Sequence, residues 1–478
     1  MYNSALLTDL YELTMIQGYY LLDNNPEVVF EMFFRRNPFK GGYSVFAGLE
    51  DLLGRLTGLS FSESDISYLR STGIFKEDFL AFLAGFRFTG DLYSVDEGSI
   101  VFPSEPLISV KSNLIEAQLI ESMLLNIINF QTLIATKSSR IYTASGRAKI
   151  MEFGLRRAQG IDGALSASRA AYIGGATATS NTYAGKTFGI PVSGTMAHSW
   201  VMAFESELES FIKYAELYKD NVILLIDTYD TLGSGIDNAI IVGRLLKEQG
   251  RNFGVRLDSG DLQYLSEKVR KKLDDAGLPD AIIAVSNDLN EHIIRELVSN
   301  GAPIDSWGVG TQLVTGGKDS SLTGVYKMVA RQFDGLLVPT IKLSNNPEKT
   351  TNPGIKQVYR FYDNNSSPLA DLMTFYDDNL ISGQTYRFNH PMFRYKSFKI
   401  SQYKEMKPLL KKRLEGGVLC TELPSLKDIR DNVIMNVKTL DQTFKRLINP
   451  HIYKVSLSDN LAELKFRMMD EKAEQNGG

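Results

Sequence analysis

Apolar and polar positions along this chain follow two regimes. From Lys149 onward, short and wholly apolar runs such as Val222-Ile223-Leu224-Leu225-Ile226 each end in a polar, glycine-bearing cluster, and a stretch with helical spacing follows. A strand with no polar alternation is one buried on both faces, which is the condition of a parallel sheet covered by helices. The clusters are Glu152-Phe153-Gly154, Gly174-Gly175-Ala176-Thr177, Ser193-Gly194-Thr195, Asp227-Thr228-Tyr229-Asp230, Arg256-Leu257-Asp258-Ser259-Gly260-Asp261, Ser286-Asn287-Asp288 and Gly308-Val309-Gly310-Thr311. They lie roughly 20 to 35 residues apart, the length of one βα unit in a barrel. Counting units predicts an irregular α/β barrel of about seven parallel strands. Helix punctuation agrees: Asp288 followed by Glu291 reads as a capping box, and Gly250, Gly277 and Gly301 suit helix ends.

Before and after this region the pattern is mixed. Residues 28–34 and 107–110 read as strands, and 114–135 as a helix in which Glu116, Gln118, Glu121, Asn126, Asn129 and Gln131 interrupt the apolar positions. That helix is too polar to span a membrane and reads as buried. The barrel pattern fades after Val338-Pro339-Thr340-Ile341-Lys342-Leu343, and a turn-rich stretch leads to a strand at 357–362 and a basic run at 404–413. The expected organisation is an N-terminal segment (1–145) and a C-terminal segment (344–478) packed together as a second, α+β domain, with the barrel (146–343) between them in sequence.

Composition sharpens this picture in a few respects. A chain of 478 residues exceeds one ordinary core, and 43% hydrophobic with 23% charged residues is a globular balance. A formal net charge of -4 lacks the basic excess of a general nucleic-acid binder. The single cysteine, Cys420, excludes an intrachain disulfide and fits a reducing compartment. The N-terminus shows no basic region followed by an apolar core, so no secretory signal is expected and the protein is expected in the cytoplasm.

In a parallel barrel the ligand sits at the C-terminal strand ends, where all these clusters fall. Arg140, Arg156, Arg157, Arg169 and Arg256 supply cationic forks suited to phosphate or carboxylate. Asp227, Asp230, Asp258 and Asp261 supply carboxylates for a Mg²⁺–phosphate complex or a developing cation. Gly308-Val309-Gly310-Thr311 offers bare backbone amides to a phosphate. Histidine is the side chain whose charge ordinarily changes near neutral pH, and His198 is flanked by the small residues Ala197 and Ser199, which leave room for a ligand. Each feature has a plainer reading: the Asp258 cluster could simply cap a helix, and Arg156-Arg157 could be a solvated strand end. Their concurrence at the ends of one set of strands favours an anion-handling active site. There is no P-loop, no Cys/His pattern for zinc and no serine nucleophile elbow.

Taken in order, Thr8-Asp9-Leu10-Tyr11-Glu12-Leu13-Thr14-Met15, Glu152-Phe153-Gly154-Leu155-Arg156-Arg157-Ala158, Gly194-Thr195-Met196-Ala197-His198-Ser199-Trp200, Asp227-Thr228-Tyr229-Asp230, Val255-Arg256-Leu257-Asp258-Ser259-Gly260-Asp261 and Gly308-Val309-Gly310-Thr311 make the chain resemble the nicotinate phosphoribosyltransferases, to about residue 345. The resemblance implies transfer of the phosphoribosyl group of phosphoribosyl pyrophosphate to nicotinate, with Mg²⁺, no organic prosthetic group, and coupled hydrolysis of ATP. It implies that His198 is phosphorylated, that Phe153 and Tyr11 sandwich the base, and that Tyr11 comes from the partner in a homodimer. It further implies Arg256 on the nicotinate carboxylate and Arg156 on that carboxylate or the phosphates. Asp230 and Asp258 fall on ribose hydroxyls, C1 or Mg²⁺ with its waters, and Gly308, Gly310 and Thr311 on the 5′-phosphate. Against the related nicotinamide-using enzyme, Thr177 aligns with an aspartate that accepts from the amide; a hydroxyl there favours the acid. The partners are then nicotinate, phosphoribosyl pyrophosphate and ATP, with no nucleic acid and no membrane. The alternatives are a quinolinate or nicotinamide phosphoribosyltransferase, or a catalytically silent relative that binds a phosphorylated metabolite.

Overall fold

The computed structural model describes residues 5–476 apart from 221, 345, 347 and 348. They form two compact units, one made from the chain up to Leu133 together with the chain from Ser321 onward, the other from Ile134–Ser320.

The discontinuous unit is rich in antiparallel sheet. A seven-stranded sheet runs in the order Leu336–Pro339, Gly324–Phe333, Glu27–Phe34, Ile108–Asn113, Asp91–Ser94, Lys411–Glu415 and Val418–Leu419. Its interior strand Glu27–Phe34 is the near-continuous apolar run read from the sequence, with both faces covered. The one acid buried within it, Glu31, meets Lys356 Nζ at 3.0 Å. A six-stranded sheet contains Lys356–Tyr362 and Pro368–Phe375, the latter paired in parallel with Val455–Leu457. Two expectations need correction here. The run around Val338, read as the last of the barrel, pairs antiparallel with Gly324–Phe333 and so lies in the seven-stranded sheet. The helix expected over 114–135 is two helices, Leu114–Leu119 and Glu121–Ala144.

The continuous unit holds the parallel sheet. Its strands are β1 (Lys149–Glu152), β2 (Ala178–Thr179), β3 (Val222–Leu225), β4 (Phe253–Leu257), β5 (Ile282–Val285) and β6 (Ser306–Val309), in the order β2-β1-β6-β5-β4-β3. Between them lie α1 (Gly160–Ile173), α2 (Thr182–Phe188), α3 (His198–Met202), α4 (Glu207–Leu217), α5 (Ile236–Glu248), α6 (Leu262–Asp275) and α7 (Glu291–Ser299). Val222, Leu224, Leu225, Val255, Leu257 and Ile283 are essentially inaccessible, as the unbroken apolar runs require.

Among the described residues the sheet has six strands, not about seven, and its end strands β2 and β3 do not pair with each other. The missing strand is the one expected to end at Ser193-Gly194-Thr195. That segment contributes a single parallel bridge, Thr179↔Val192, and a bond from Ser193 N–H to Thr179 O of 3.0 Å. Glycine and small polar residues bury too little apolar surface to hold a strand there.

Register sets the position of the site. Glu152 lies level with Val309 and Thr179, Leu257 with Val285, and Leu225 with Arg256. Parallel alignment therefore brings Phe153, Ser180, Asp227, Asp258, Ser286 and Gly310 to one edge of the sheet.

Candidate active site

Strand β1 ends on a buried carboxylate. Glu152 is 1% exposed and accepts from Ser168 Oγ of α1 at 2.9 Å, from Thr179 Oγ1 of β2 at 2.6 Å, and from Gly154 N–H. Three donors compensate the burial of that acid and pin the turn that carries Phe153. The Phe153 ring lies against Gly308: a Cβ there would stand 2.6 Å from its Cδ2 and Cε2. Gly308, expected to face a phosphate, thus sits within β6 and provides the ring's seat. Gly310 comes just past the strand, opening the short helix α8 (Thr311–Val314), and a Cβ on it would lie 3.1 Å from Phe153 O. Arg156 and Arg157 are exposed on the single helical turn that follows Gly154.

His198 opens α3. Its Nδ1 lies 3.1 Å from Thr228 Oγ1, beyond the end of β3, and its Nε2 stands 3.8 Å from Asp258 Oδ2. The imidazole is 41% and the carboxylate 35% exposed, so both open to solvent. Asp258 is oriented from behind, because Ser286 Oγ donates to its Oδ1. Its backbone N–H donates to Asp227 Oδ2 at 2.8 Å, and Ser259 Oγ donates to the same oxygen at 2.6 Å. Asp227 Oδ1 is buried with no hydrogen-bonding partner among the described residues.

Arg256, two residues before Asp258, donates from Nη1 to Thr195 Oγ1, whereas its buried Nε has no partner among the described residues. Burial pushes its guanidinium below the ordinary arginine range, and the Asp258 and Asp227 carboxylates oppose that shift. A half-buried fork with a buried, unpaired Nε is poised for one further anionic acceptor.

Several sequence assignments are placed differently. Arg140 is buried at 2% and bonds Glu291 at 3.0 Å, with Lys137 on the other Glu291 oxygen at 2.6 Å, so it braces α7 rather than facing a ligand. Arg169 is equally buried, within α1. Asp261 caps α6 through Tyr264 N–H at 3.1 Å. Asp230 is exposed, and its carboxylate accepts from Gly233 N–H at 3.0 Å in the turn before α5. Thr177 Oγ1 donates to Ile150 O at 2.8 Å, so its proton is already directed into the sheet. Asn290, not Asp288, caps α7, through His292 and Ile293 N–H. Tyr11 belongs to the other unit, on helix Leu10–Leu21, with its ring half-exposed. Burial, then its bond to the Glu12 carboxylate, raises its hydroxyl above the ordinary tyrosine range.

The positioning hydroxyls of Thr195, Thr228 and Ser286 escaped functional assignment from sequence. All three lie in the strand-end clusters, but their partners are 61, 30 and 28 positions away.

Known proteins resemble this chain throughout its length. Residues 6–129 match the nicotinate phosphoribosyltransferase N-terminal domain, 148–378 the nicotinate phosphoribosyltransferase family, and 355–465 the corresponding C-terminal domain. The nicotinate phosphoribosyltransferase of Bacillus subtilis is 45% identical over 483 residues, covering 98% of each chain. That of Homo sapiens is 33% identical over 520 residues, with 96% of this chain and 95% of the relative covered. Among solved structures, human nicotinic acid phosphoribosyltransferase superposes with a TM-score of 0.85 at 30% identity, covering 96% of this chain and 99% of that one. A nicotinate-nucleotide pyrophosphorylase from Pyrococcus furiosus, with a TM-score of 0.70 at 22% identity, shares the fold over 91% of this chain and 95% of its own.

Proposed function

The chain belongs to the nicotinate phosphoribosyltransferase family, and on that premise we propose how the strand-end cluster carries out its reaction and draws on ATP. The activity is transfer of the phosphoribosyl group from phosphoribosyl pyrophosphate to nicotinate. The ring nitrogen of nicotinate forms a bond to C1 of the ribose while the bond from C1 to the pyrophosphate oxygen breaks, and pyrophosphate leaves with that electron pair.

Arg256 binds the nicotinate carboxylate; its buried, unpaired Nε is the observation that carries this assignment. The pyridine ring stacks on the face of Phe153 turned away from Gly308, which supplies orientation to a ring with few hydrogen-bonding groups. Tyr11 covers the opposite face of the base from the partner copy in a homodimer. The 5′-phosphate lies against the backbone amides of Gly310 and Thr311, with Arg156 on the carboxylate or the phosphates. Asp258, fixed by Ser286, stabilises positive charge developing at C1, and the exposed Asp230 beyond β3 takes a ribose hydroxyl.

The carboxylates suit a Mg²⁺ brought in on the pyrophosphate. Among the described residues no group of three or more His, Cys, Asp or Glu could hold a metal, yet Asp227 Oδ1 is buried and unpartnered. One or two carboxylates with substrate oxygens and water is the coordination this ion commonly takes. Asp258 and Asp227, neighbours through the Asp258 N–H, would hold it together with substrate oxygens and water, and its charge would ease departure of pyrophosphate.

His198 couples ATP. With Nδ1 protonated and donating to Thr228, Nε2 presents its lone pair to the γ-phosphorus; the N–P bond forms as the P–O bond to ADP breaks, and water later hydrolyses the phosphohistidine. Its exposure and small neighbours leave room for the phosphoryl group. Purified protein given nicotinate, phosphoribosyl pyrophosphate, Mg²⁺ and ATP should form nicotinate mononucleotide and acquire acid-labile phosphate, absent in His198→Ala. No nucleotide product would sink the transfer reading, and an unlabelled wild type the coupling.

A further inference from the structure

We infer that Thr195 is the positioning residue that couples phosphorylation of His198 to the grip of Arg256 on the carboxylate of the base. This rests on the ATP-coupled reading above.

Thr195 and His198 lie three residues apart on the irregular segment between the Thr179↔Val192 bridge and α3. Both are tethered to the same cluster: Thr195 Oγ1 accepts from Arg256 Nη1, and His198 Nδ1 lies 3.1 Å from Thr228 Oγ1. The stretch between the tethers is otherwise loosely held. No backbone amide of Gly194, Thr195 or Met196 has a hydrogen-bonding partner among the described residues, although the Met196 side chain is buried.

Asp258 contrasts with that segment. Its carboxylate is held by Ser286 and its backbone amide by Asp227. A phosphoryl group on Nε2 would bring new anionic oxygens next to Asp258 Oδ2, which stands only 3.8 Å from that nitrogen. Like charges at this range repel. The clamped aspartate holds its place, so the histidine segment moves and carries Thr195 with it. Thr195 is the one protein group that bonds the Arg256 fork among the described residues, since Nε is unpartnered. Displacing it re-aims the guanidinium, so phosphorylation changes nicotinate affinity through that hydroxyl. Serine retains the hydroxyl; valine retains the shape without it.

The test measures the KM for nicotinate of the full-length protein with and without ATP, at fixed phosphoribosyl pyrophosphate and Mg²⁺, alongside acid-labile phosphate from γ-labelled ATP. In the wild type ATP should lower this KM by about fivefold or more, the range of an ordinary coupling between sites. Thr195→Val should still acquire label but show an ATP effect below about twofold, and Thr195→Ser should restore the response. Three results would overturn the proposal: a wild-type response in Thr195→Val, no ATP effect on KM in a labelled wild type, or loss of label in Thr195→Val, which would place Thr195 in phosphorylation itself. An unlabelled wild type would overturn the ATP-coupled reading, and the coupling role with it.

Discussion

Asp258 has two oxygens with different surroundings, one bound by Ser286 and the other open toward His198. Orientation of this kind, more than the presence of an acid, makes the cluster useful for chemistry. Arg256 shows the same logic, with one donor tied to Thr195 and one left unpaired in a buried setting. Replacing it by alanine removes a charge-assisted pair worth about 1.5–3 kcal/mol, so the KM for nicotinate should rise by about 10- to 150-fold in steady-state assays. Lysine should rescue poorly, because an ammonium cannot reproduce the fork. At Thr177 the hydroxyl proton is spent on Ile150 O, so any selectivity it exerts comes from the absence of a carboxylate. Thr177→Asp should then lower the nicotinate-to-nicotinamide ratio of kcat/KM by about tenfold or more, a change of at least about 1.4 kcal/mol. An unchanged ratio would remove Thr177 from the base site. At this scale the sequence singles out His198 and Arg256 because their residue types are scarce or costly at strand ends. Arg140 was misread because a buried ion pair to Glu291, 151 positions away, leaves no local trace.

Elements impose their own demands. Gly308 lies within a strand, where glycine ordinarily weakens structure, and the Phe153 ring occupies the space a side chain would need. Gly308→Ala should displace that ring, costing about 1–3 kcal/mol of stability by overpacking and raising the KM for nicotinate more than it lowers kcat. Helix ends at Gly250, Gly277 and Gly301 were readable because each takes a positive φ, of 68°, 80° and 75°, that glycine adopts at no steric cost. The start of α7 was misplaced by two residues, since Asn287 takes up a φ of 104° and lengthens the turn before Asn290.

The C-terminal helix Asp459–Asn476 is anchored by Lys465, which is 3% exposed and donates to Asn352 Oδ1 at 2.7 Å and Pro391 O at 2.8 Å. Burial first, then the nearby Lys356 charge, pushes its amine down to about 8 from 10.5. Below pH 8 the native state bears the full cost of holding a charged amine there, about 3 kcal/mol by proton linkage. Between pH 8 and 10.5 the unfolded chain binds the extra proton, so that cost is lost as pH rises. The thermal midpoint of the wild type relative to Lys465→Met should therefore climb from pH 8 to pH 10, and a constant difference would contradict the assignment.

On the scale of the whole molecule, one compact unit is assembled from both ends of the chain. Glu27–Phe34 pairs with Gly324–Phe333, and Asp91–Ser94 with Lys411–Glu415. A chain ending at Ser320 would lose both partners and leave Phe30 and Met32 with one neighbouring strand in place of two. Such a truncation should be recovered as insoluble protein, and a soluble, cooperatively melting fragment would count against this dependence. Among the described residues no helix is long and apolar enough to cross a membrane.

What the sequence determined alone is what repeats or acts locally: apolar runs that must be buried on both faces, glycines at helix ends, and chemistry gathered at strand ends. Tertiary structure alone decided which strand the run at Val338 joins, why six strands form where seven clusters occur, and which hydroxyl holds which charged group. These depend on pairings between positions tens to hundreds of residues apart. Periodicity records the burial of a residue but carries no record of the partner against which it is buried.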